Sequence, residues 1–285
     1  MKKTLKEYVR DYGGGPKRSL SQVFLIERGV LEKILGLAEL GPEDTVIEIG
    51  PGPGALTREI LPRVRRLLAI EIDRRLAGYL RAAIPGGSGF LLVCMDALRF
   101  DYRRVSARLG TPLKVIANLP YSVSSPLLFS LLDQHEAFSM LVLMLQKEVA
   151  QRLTASPGTK DYGALTVLSR MYFRTALEYR VSRHCFHPVP KVDSAVVRFL
   201  PNRDVRVLTR GQEATFRKIV KAAFAARRKT LYNSLRLALA PAPPDPVLLA
   251  MLRGCGLDPS CRAETLTLEE FVELALAADP LLTRP

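Results

Sequence analysis

The chain has 285 residues, a net charge of +14 and 48% hydrophobic residues, enough to bury one large domain with or without a smaller addition. No apolar run reaches about 18 residues and the N-terminal segment is charged, which excludes a membrane-spanning helix and a secretory signal and predicts a cytoplasmic protein without a membrane partner. Four cysteines without a C-x-x-C pair indicate a reducing compartment, and neither a disulfide scaffold nor a metal site is expected.

The positive charge is concentrated in two segments. Residues 1–20 carry six Lys or Arg against two acids and residues 201–240 carry ten against two, whereas residues 241–285 are acidic. A concentrated basic surface favours a polyanion partner, most simply a nucleic acid. The alternative is a solvated helix face that only aids solubility.

Ordered structure is predicted to begin after a flexible basic arm at the N-terminus. Residues 13–16, three glycines and a proline, break any helix there, so residues 1–20 are assigned to the arm. Residues 45–49 then form an apolar run typical of a buried strand, followed by the glycine turn of residues 50–54 and a helix start. Because glycines let a ligand approach the backbone closely, this unit predicts a nucleotide cofactor site.

Two later strands end in carboxylates that suit such a site. The strand over residues 67–71 ends in Glu71, 21 residues after Gly50, a distance that suits ribose recognition. The strand over residues 90–95 precedes Asp96, which can accept from an adenine amine; the alternative for Asp96 is a surface carboxylate or helix cap.

The ribose pattern alone does not separate a nicotinamide cofactor from S-adenosylmethionine. The glycine spacing is G-x-G-x-G rather than G-x-G-x-x-G, and Glu48, Glu71 and Asp96 would form an acidic rim. Such a rim tolerates a sulfonium cation better than a pyrophosphate. The sequence therefore favours S-adenosylmethionine.

Asn118, Leu119, Pro120 and Tyr121 follow another strand-like run and are typical of an amine methylation site. The exocyclic amine of adenine is a poor nucleophile because its lone pair is delocalised, so acceptors for both amine hydrogens assist it. The Asn118 oxygen and a rigid backbone carbonyl beside the proline supply two acceptors, and Tyr121 supplies an aromatic face. The alternative is an ordinary turn after a strand.

Strands and helices alternate through residue 153. This alternation predicts an α/β, Rossmann-like fold with a mainly parallel, doubly wound sheet over residues 21–200, whose ligands bind at the carboxyl ends of the strands. Residues 201–285 have helical spacing and predict a small all-helical C-terminal domain that binds RNA. Basic residues at polar positions there suit phosphate contacts: Arg217, Lys221, Arg227, Arg228 and Lys229.

Motifs spread along the chain resemble those of the ribosomal RNA adenine dimethyltransferases, most closely the bacterial small-subunit enzymes. They are Phe24 with Leu25, residues 48–54, 118–121, 146–150, 162–163 and 186–194, and Ala223 and Phe224 with residues 227–231. The likeness covers about residues 19–275. The Phe186 and Arg227 motifs are far more specific than the glycine loop.

The resemblance implies transfer of four methyl groups from S-adenosylmethionine, two to each of two adjacent adenosines near the 3′ end of small-subunit ribosomal RNA. It also implies a role in late small-subunit assembly, with that RNA and the pre-30S particle as partners, and a monomer is expected. The cofactor contacts that it implies are Gln22, Leu25, Gly50, Gly52, Glu71, Asp96 and Asn118. The residues implied to hold the target base are Asn118, Leu119, Pro120, Tyr121 and Phe186. Phe186 would stack on the face of the base opposite Tyr121. The alternative for Phe186 is a core aromatic before a proline turn, and its motif favours stacking.

One position departs from the family pattern. The family has Gly-Gln-Asn-Phe-Leu where this chain has Ser-Gln-Val-Phe-Leu, so Val23 replaces the usual Asn. The loss of that side-chain contact predicts weaker binding of S-adenosylmethionine than the family norm, while a backbone contact at this position can survive.

Three alternatives stay open. The nearest is a large-subunit ribosomal RNA methyltransferase of the macrolide-resistance type, against which the basic segment Arg227 to Lys229 argues. A noncatalytic RNA-binding assembly or transcription factor is a second, although the intact cofactor residues speak against lost catalysis. A nicotinamide oxidoreductase is a third, and the sequence contains no evident catalytic dyad for one.

Overall fold

The computed structural model describes residues 4–17, 20, 22–84, 87, 89–240 and 243–282. Ser21 of the predicted cofactor motif and residues 1–3, 18 and 19 of the predicted arm lie outside the described residues. The chain divides into two units, residues 1–150 with 175–201 and residues 151–174 with 202–285. The second unit thus includes residues 151–174, which the sequence analysis assigns to the first domain.

The first unit is built on a mixed sheet. The strands are β1 (Phe24–Leu25), β2 (Thr45–Ile49), β3 (Arg66–Glu71), β4 (Phe90–Cys94), β5 (Leu113–Asn118), β6 (Phe138–Gln146), β7 (Phe173–Val181), β8 (Phe186–His187) and β9 (Ser194–Pro201). Seven of them form one sheet in the order β4-β3-β2-β5-β6-β9-β7, and β1 pairs with β8 in a separate ribbon. The strands from β4 to β6 are parallel, whereas β9 is antiparallel to β6. The predicted Rossmann-like, mainly parallel sheet is confirmed.

The centre of the sheet explains where ligands bind. β2 is buried at all five positions, as expected for an apolar strand covered on both faces. The strand order reverses between β2 and β5, and a crevice opens beyond the carboxyl ends of strands at such a point. The helices from the N-terminus to the end of the parallel sheet are α1 (Leu5–Tyr12), α2 (Arg28–Leu37), α3 (Ala55–Ile60), α4 (Arg74–Ala83), α5 (Tyr102–Leu109), α6 (Ser124–Asp133) and α7 (Lys147–Thr154).

Helix α1 lies where the sequence predicts a mobile arm. Thr4 and Glu7 form a capping box at its start, and Gly13, with a φ of 64°, ends it. The Arg58 guanidinium stacks on the Tyr8 ring at 4.6 Å from its centroid. The contact with Arg58 is long-range and stabilises a helix that its short sequence does not predict.

The second unit is helical apart from the first residues of β7. Besides the last residues of α7, its helices are α8 (Ala164–Tyr172), α9 (Arg210–Ala223), α10 (Leu231–Ala238), α11 (Asp245–Gly254) and α12 (Leu268–Leu282). The buried rings of Tyr162 and Phe271 lie in its core and both contact the half-buried ring of Phe224, and the Tyr162 hydroxyl donates to the Leu266 carbonyl at 2.9 Å. α8 packs against α9, which places residues 151–174 in this unit. Within the described part of the chain, no helix has the length and hydrophobicity to cross a membrane.

Candidate active site

One pocket lies at the carboxyl ends of β2, β3, β4 and β5. The residues predicted to contact the cofactor all line it: Gln22, Leu25, Gly50, Gly52, Glu71, Asp96 and Asn118. Pro120 lines it too, so the glycine loop and the predicted methylation motif share one cavity. Tyr8 and Val9 of α1 also line the pocket, and no sequence signal pointed to them because that segment was expected to be mobile.

The glycine loop needs glycine at Gly52. Its φ is 56°, in the left-handed region, and a Cβ there would lie 3.2 Å from the Phe24 ring. The Gly52 N–H donates to the Glu71 Oε2 at 3.3 Å. The loop is therefore held against the end of β3 by the carboxylate predicted to bind ribose.

Glu71 is almost completely buried, and backbone donors hold both of its oxygens. In addition to the Gly52 bond, the Asp73 N–H donates to Oε1 at 2.9 Å. Burial raises the pKa of the Glu71 carboxyl, while these backbone bonds oppose the shift. The carboxylate is thus fixed in place at the pocket wall.

Asp73 contacts the pocket residues but was not predicted from the sequence as a site residue. Its carboxylate receives hydrogen bonds from Lys17 Nζ at 2.8 Å and from Gln22 Nε2 at 3.2 Å. It also caps the start of α4 by accepting from the Arg75 N–H. The side chain of Gln22 therefore lies at the pocket and is hydrogen-bonded to Asp73. The sequence signal that could have identified Asp73 is its position two residues after Glu71.

Glu48 is the least satisfied polar group of the pocket. It is 1% exposed, and neither of its carboxyl oxygens has a hydrogen-bond partner among the described residues. Burial, with a smaller effect from Glu71, raises the pKa of Glu48 to about 8, against the opposing effects of Thr57 and Arg58. A bound cation would stabilise this carboxylate, so the pocket fits a positively charged ligand.

Asp96 lies at the other end of the pocket, after β4. Its Oδ1 accepts from the Leu98 N–H at 3.0 Å and caps a short 3₁₀ turn. The neighbouring wall is apolar, with Ile72 and Leu98 partly exposed. A carboxylate beside an apolar slot suits a flat heterocycle that carries an amine.

Asn118 ends β5 and lies beside the glycine loop. Its Nδ2 donates to the Val23 carbonyl at 3.1 Å, which leaves its Oδ1 as the acceptor of the amide. The Pro120 carbonyl already accepts from the Val123 N–H at 3.2 Å and from the Ser124 hydroxyl at 3.0 Å. The other backbone carbonyl beside the proline is that of Leu119, a residue that is buried in this conformation.

Two members of the predicted base site are buried. Leu119 and Phe186 are 0% and 1% exposed. Phe186 belongs to β8, pairs with Leu25 of β1 and packs in the core of the first unit. Its ring has no exposed face for stacking in this conformation, because the β1–β8 pairing turns it inward.

The predicted RNA-binding residues all lie in the second unit and fall into two groups. Arg217 donates to the Tyr172 hydroxyl at 3.0 Å, and Arg227 donates to the carbonyls of Tyr162, at 3.0 Å, and Lys160. These two side chains are therefore engaged within the protein. Lys221, Arg228 and Lys229 are exposed, and Arg227 is exposed as well although its guanidinium makes these bonds.

A sequence model of the ribosomal RNA adenine dimethylase family matches residues 15–276. The chain is 45% identical over 267 residues to a ribosomal RNA small subunit methyltransferase A of Geobacter sulfurreducens, covering 93% of this chain and 96% of that protein. It is 46% identical over 273 residues to the protein of the same name from Geobacter metallireducens, with coverages of 94% and 98%.

Solved structures agree with these sequence matches. A dimethyladenosine transferase from Plasmodium falciparum superposes with a TM-score of 0.74 at 28% identity, covering 90% of this chain and 97% of that one. The 23S rRNA methyltransferase ErmE superposes with a TM-score of 0.66 at 28% identity, with coverages of 90% and 99%. The chain belongs to the ribosomal RNA adenine dimethylase family.

Proposed function

We propose that this protein transfers methyl groups from S-adenosylmethionine to N6 of two adjacent adenosines near the 3′ end of small-subunit (16S) ribosomal RNA, two methyls to each. The observation that carries this proposal is the position of Asn118 and Pro120 at the wall of an acidic, glycine-lined pocket. The Geobacter relatives, named as small-subunit methyltransferases, supply the substrate class.

The pocket suits S-adenosylmethionine by its charge and shape. When bound, this cofactor supplies an electrophilic methyl on a sulfonium cation. A cation in the pocket would stabilise the ionised form of Glu48, which is buried and has no hydrogen-bond partner among the described residues. Glu71 is fixed where ribose hydroxyls are expected. Asp96 and the apolar wall of Ile72 and Leu98 suit an adenine ring.

The Asn118 loop supplies the catalytic contribution. The Asn118 Oδ1 and the Leu119 carbonyl accept the two amine hydrogens of the target adenine and aim its lone pair at the methyl group. The bond to Val23 fixes the Asn118 amide before the base arrives, so little reorganisation is needed. Tyr121 offers its ring to the flipped base, whose lost stacking costs about a few kcal/mol.

The partners follow from the same proposal. The protein acts in the cytoplasm, as a monomer, on the RNA of a late pre-30S particle. The second unit contributes phosphate contacts through its exposed Lys221, Arg228 and Lys229. Phe186 would stack on the target base after its ring leaves the core.

The second candidate is methylation of large-subunit ribosomal RNA, which the similarity to ErmE favours. An acceptor assay with small subunits and with 23S RNA, each from cells that lack the respective methylation, separates the two. We expect transfer to the small subunit only. Transfer to 23S RNA alone would overturn the proposal, and saturable cofactor binding without any transfer would favour a noncatalytic assembly role.

A further inference from the structure

Tyr121 and Ser194 are joined by a hydrogen bond between the two hydroxyl oxygens, 2.8 Å apart. Tyr121 lies in the loop between β5 and α6, three residues after Asn118, and is partly exposed. Ser194 is the first residue of β9 and is 0% exposed. The bond therefore connects a loop residue at the methylation motif to a buried point of the sheet.

The sheet fixes the position of the Ser194 hydroxyl. Ser194 pairs with Gln146 at the end of β6. The residue before it, Asp193, accepts from the Lys147 N–H through its carbonyl at 3.0 Å and from the Arg183 N–H through its Oδ1 at 3.0 Å. These bonds hold the backbone on both sides of the hydroxyl, so Ser194 has little freedom to follow a moving ring.

A tyrosine ring without such a tether rotates about two side-chain torsions. An aromatic face contributes to holding a base only while the ring lies parallel to it, so a rotating ring gives up part of its stacking energy. A phenol is protonated near neutral pH, so the Tyr121 hydroxyl can donate to or accept from Ser194. Burial raises the pKa of Tyr121, and the hydrogen bond to Ser194 opposes this shift.

We infer that Ser194 is a positioning residue, which holds the Tyr121 ring in the orientation that receives the target adenine. This inference rests on the proposed function. Its action is through Tyr121 alone, because its hydroxyl contacts the tyrosine oxygen and the serine itself is buried away from the pocket surface.

The test is a double-mutant cycle on the full chain, with kcat/KM for small-subunit RNA as readout and affinity for S-adenosylmethionine as control. Ser194→Ala and Tyr121→Phe remove the bond from either side while the ring stays. Each is expected to lower kcat/KM about tenfold, the worth of one hydrogen bond, and the double variant is expected to lose no more than either single variant. Cofactor affinity is expected to stay unchanged.

The variant Tyr121→Ala separates positioning from a structural role. It removes the ring, and Ser194→Ala added to it is expected to cause no further loss of kcat/KM. Additive losses, or an equal effect of Ser194→Ala with and without the ring, would overturn the inference. If Ser194→Ala does not fold, wild-type kcat/KM in Tyr121→Phe overturns it instead. Absence of transfer by the unaltered protein would contradict the proposed function, which is a different result.

Discussion

The side chain of Asn118 donates a hydrogen bond to the backbone carbonyl of Val23 at 3.1 Å. The two residues are 95 positions apart, and the bond links the segment before β1 to the end of β5. It occupies the amide donor of Asn118 and leaves the oxygen to accept from a substrate amine. Because only the backbone of Val23 takes part, the replacement of the usual family Asn by Val does not remove this contact.

Asn118→Ala is expected to lower the rate of methyl transfer by about 10²–10³-fold or more, since one oriented acceptor in the transition state is lost. RNA affinity, measured by filter binding, is expected to change little. Asn118→Asp keeps an oxygen acceptor but cannot donate to Val23, so its rate of methyl transfer should lie between those of Asn118→Ala and the unaltered protein. Normal turnover of Asn118→Ala would remove the role assigned to this residue.

Val23→Asn is expected to tighten binding of S-adenosylmethionine about fivefold, because the restored amide adds one hydrogen bond worth about 1 kcal/mol. Isothermal titration calorimetry measures the change. Val23→Thr is the matched control, since it keeps the β-branched shape without an amide and should leave the affinity near that of the unaltered chain. Equal affinity of the Asn and Val proteins would show that the departure at this position is neutral.

Glu48 predicts a specific dependence of folding stability on pH. Its pKa is raised to about 8 in the folded protein, so the unfolded chain releases this proton from about pH 4.5 upward while the folded protein retains it. The free energy of unfolding therefore decreases between about pH 4.5 and 8, by up to about 1.4 kcal/mol per pH unit from this group. Melting temperatures across this range should fall less steeply for Glu48→Gln.

The control for this pH series is Glu43→Gln. The Glu43 side chain is 83% exposed, so its replacement should leave the slope of melting temperature against pH as it is in the unaltered protein. Glu71, whose pKa is also raised by burial, is expected to leave a residual slope in Glu48→Gln. Parallel curves for Glu48→Gln and the unaltered protein would contradict the account of the buried carboxyl.

The basic residues after α9 are expected to separate into RNA contacts and a structural residue. Replacing both Arg228 and Lys229 by Ala should weaken RNA binding and reduce the slope of log affinity against log salt by about one for each lost phosphate contact. Arg227→Ala should instead lower stability by about 1 kcal/mol, since its bonds to the Lys160 and Tyr162 carbonyls are partly exposed. If Arg227→Ala instead abolishes the dependence of RNA affinity on salt and leaves the melting temperature unchanged, Arg227 is an RNA contact and not a structural residue.

The parallel strands and the pocket residues were predictable because their signals are local. β2 and β3 are predominantly apolar runs, and each has a residue type with a known use at its carboxyl end: the glycines that follow β2 and the terminal carboxylate Glu71 of β3. Helix α1 was not predictable, because it depends on the contact of Tyr8 with Arg58, 50 positions away. Nothing in the local pattern encodes such a partner.

Long-range strand pairing also explains which contacts of the motif residues could not be predicted from the sequence. Phe186 lies in the core because β8 pairs with β1. Its motif assigns it to the target base, but an apolar aromatic ring is equally suited to a hydrophobic core. The partnership of Tyr121 with Ser194 spans 73 positions and appears only when β9 joins β6. Patterns along the chain thus predicted which residues meet at the sheet edge, but not which side chains hold them there.

The most direct test of the central claim is transfer of labelled methyl groups from S-adenosylmethionine to small subunits isolated from cells that lack this methylation, followed by mass mapping of the labelled nucleotides. The proposed function predicts two adjacent dimethyladenosines near the 3′ end of the 16S RNA, and label that accumulates at least about 100-fold more slowly with Asn118→Ala. Label at any other nucleotide, or no label from a protein that binds the cofactor, would contradict it.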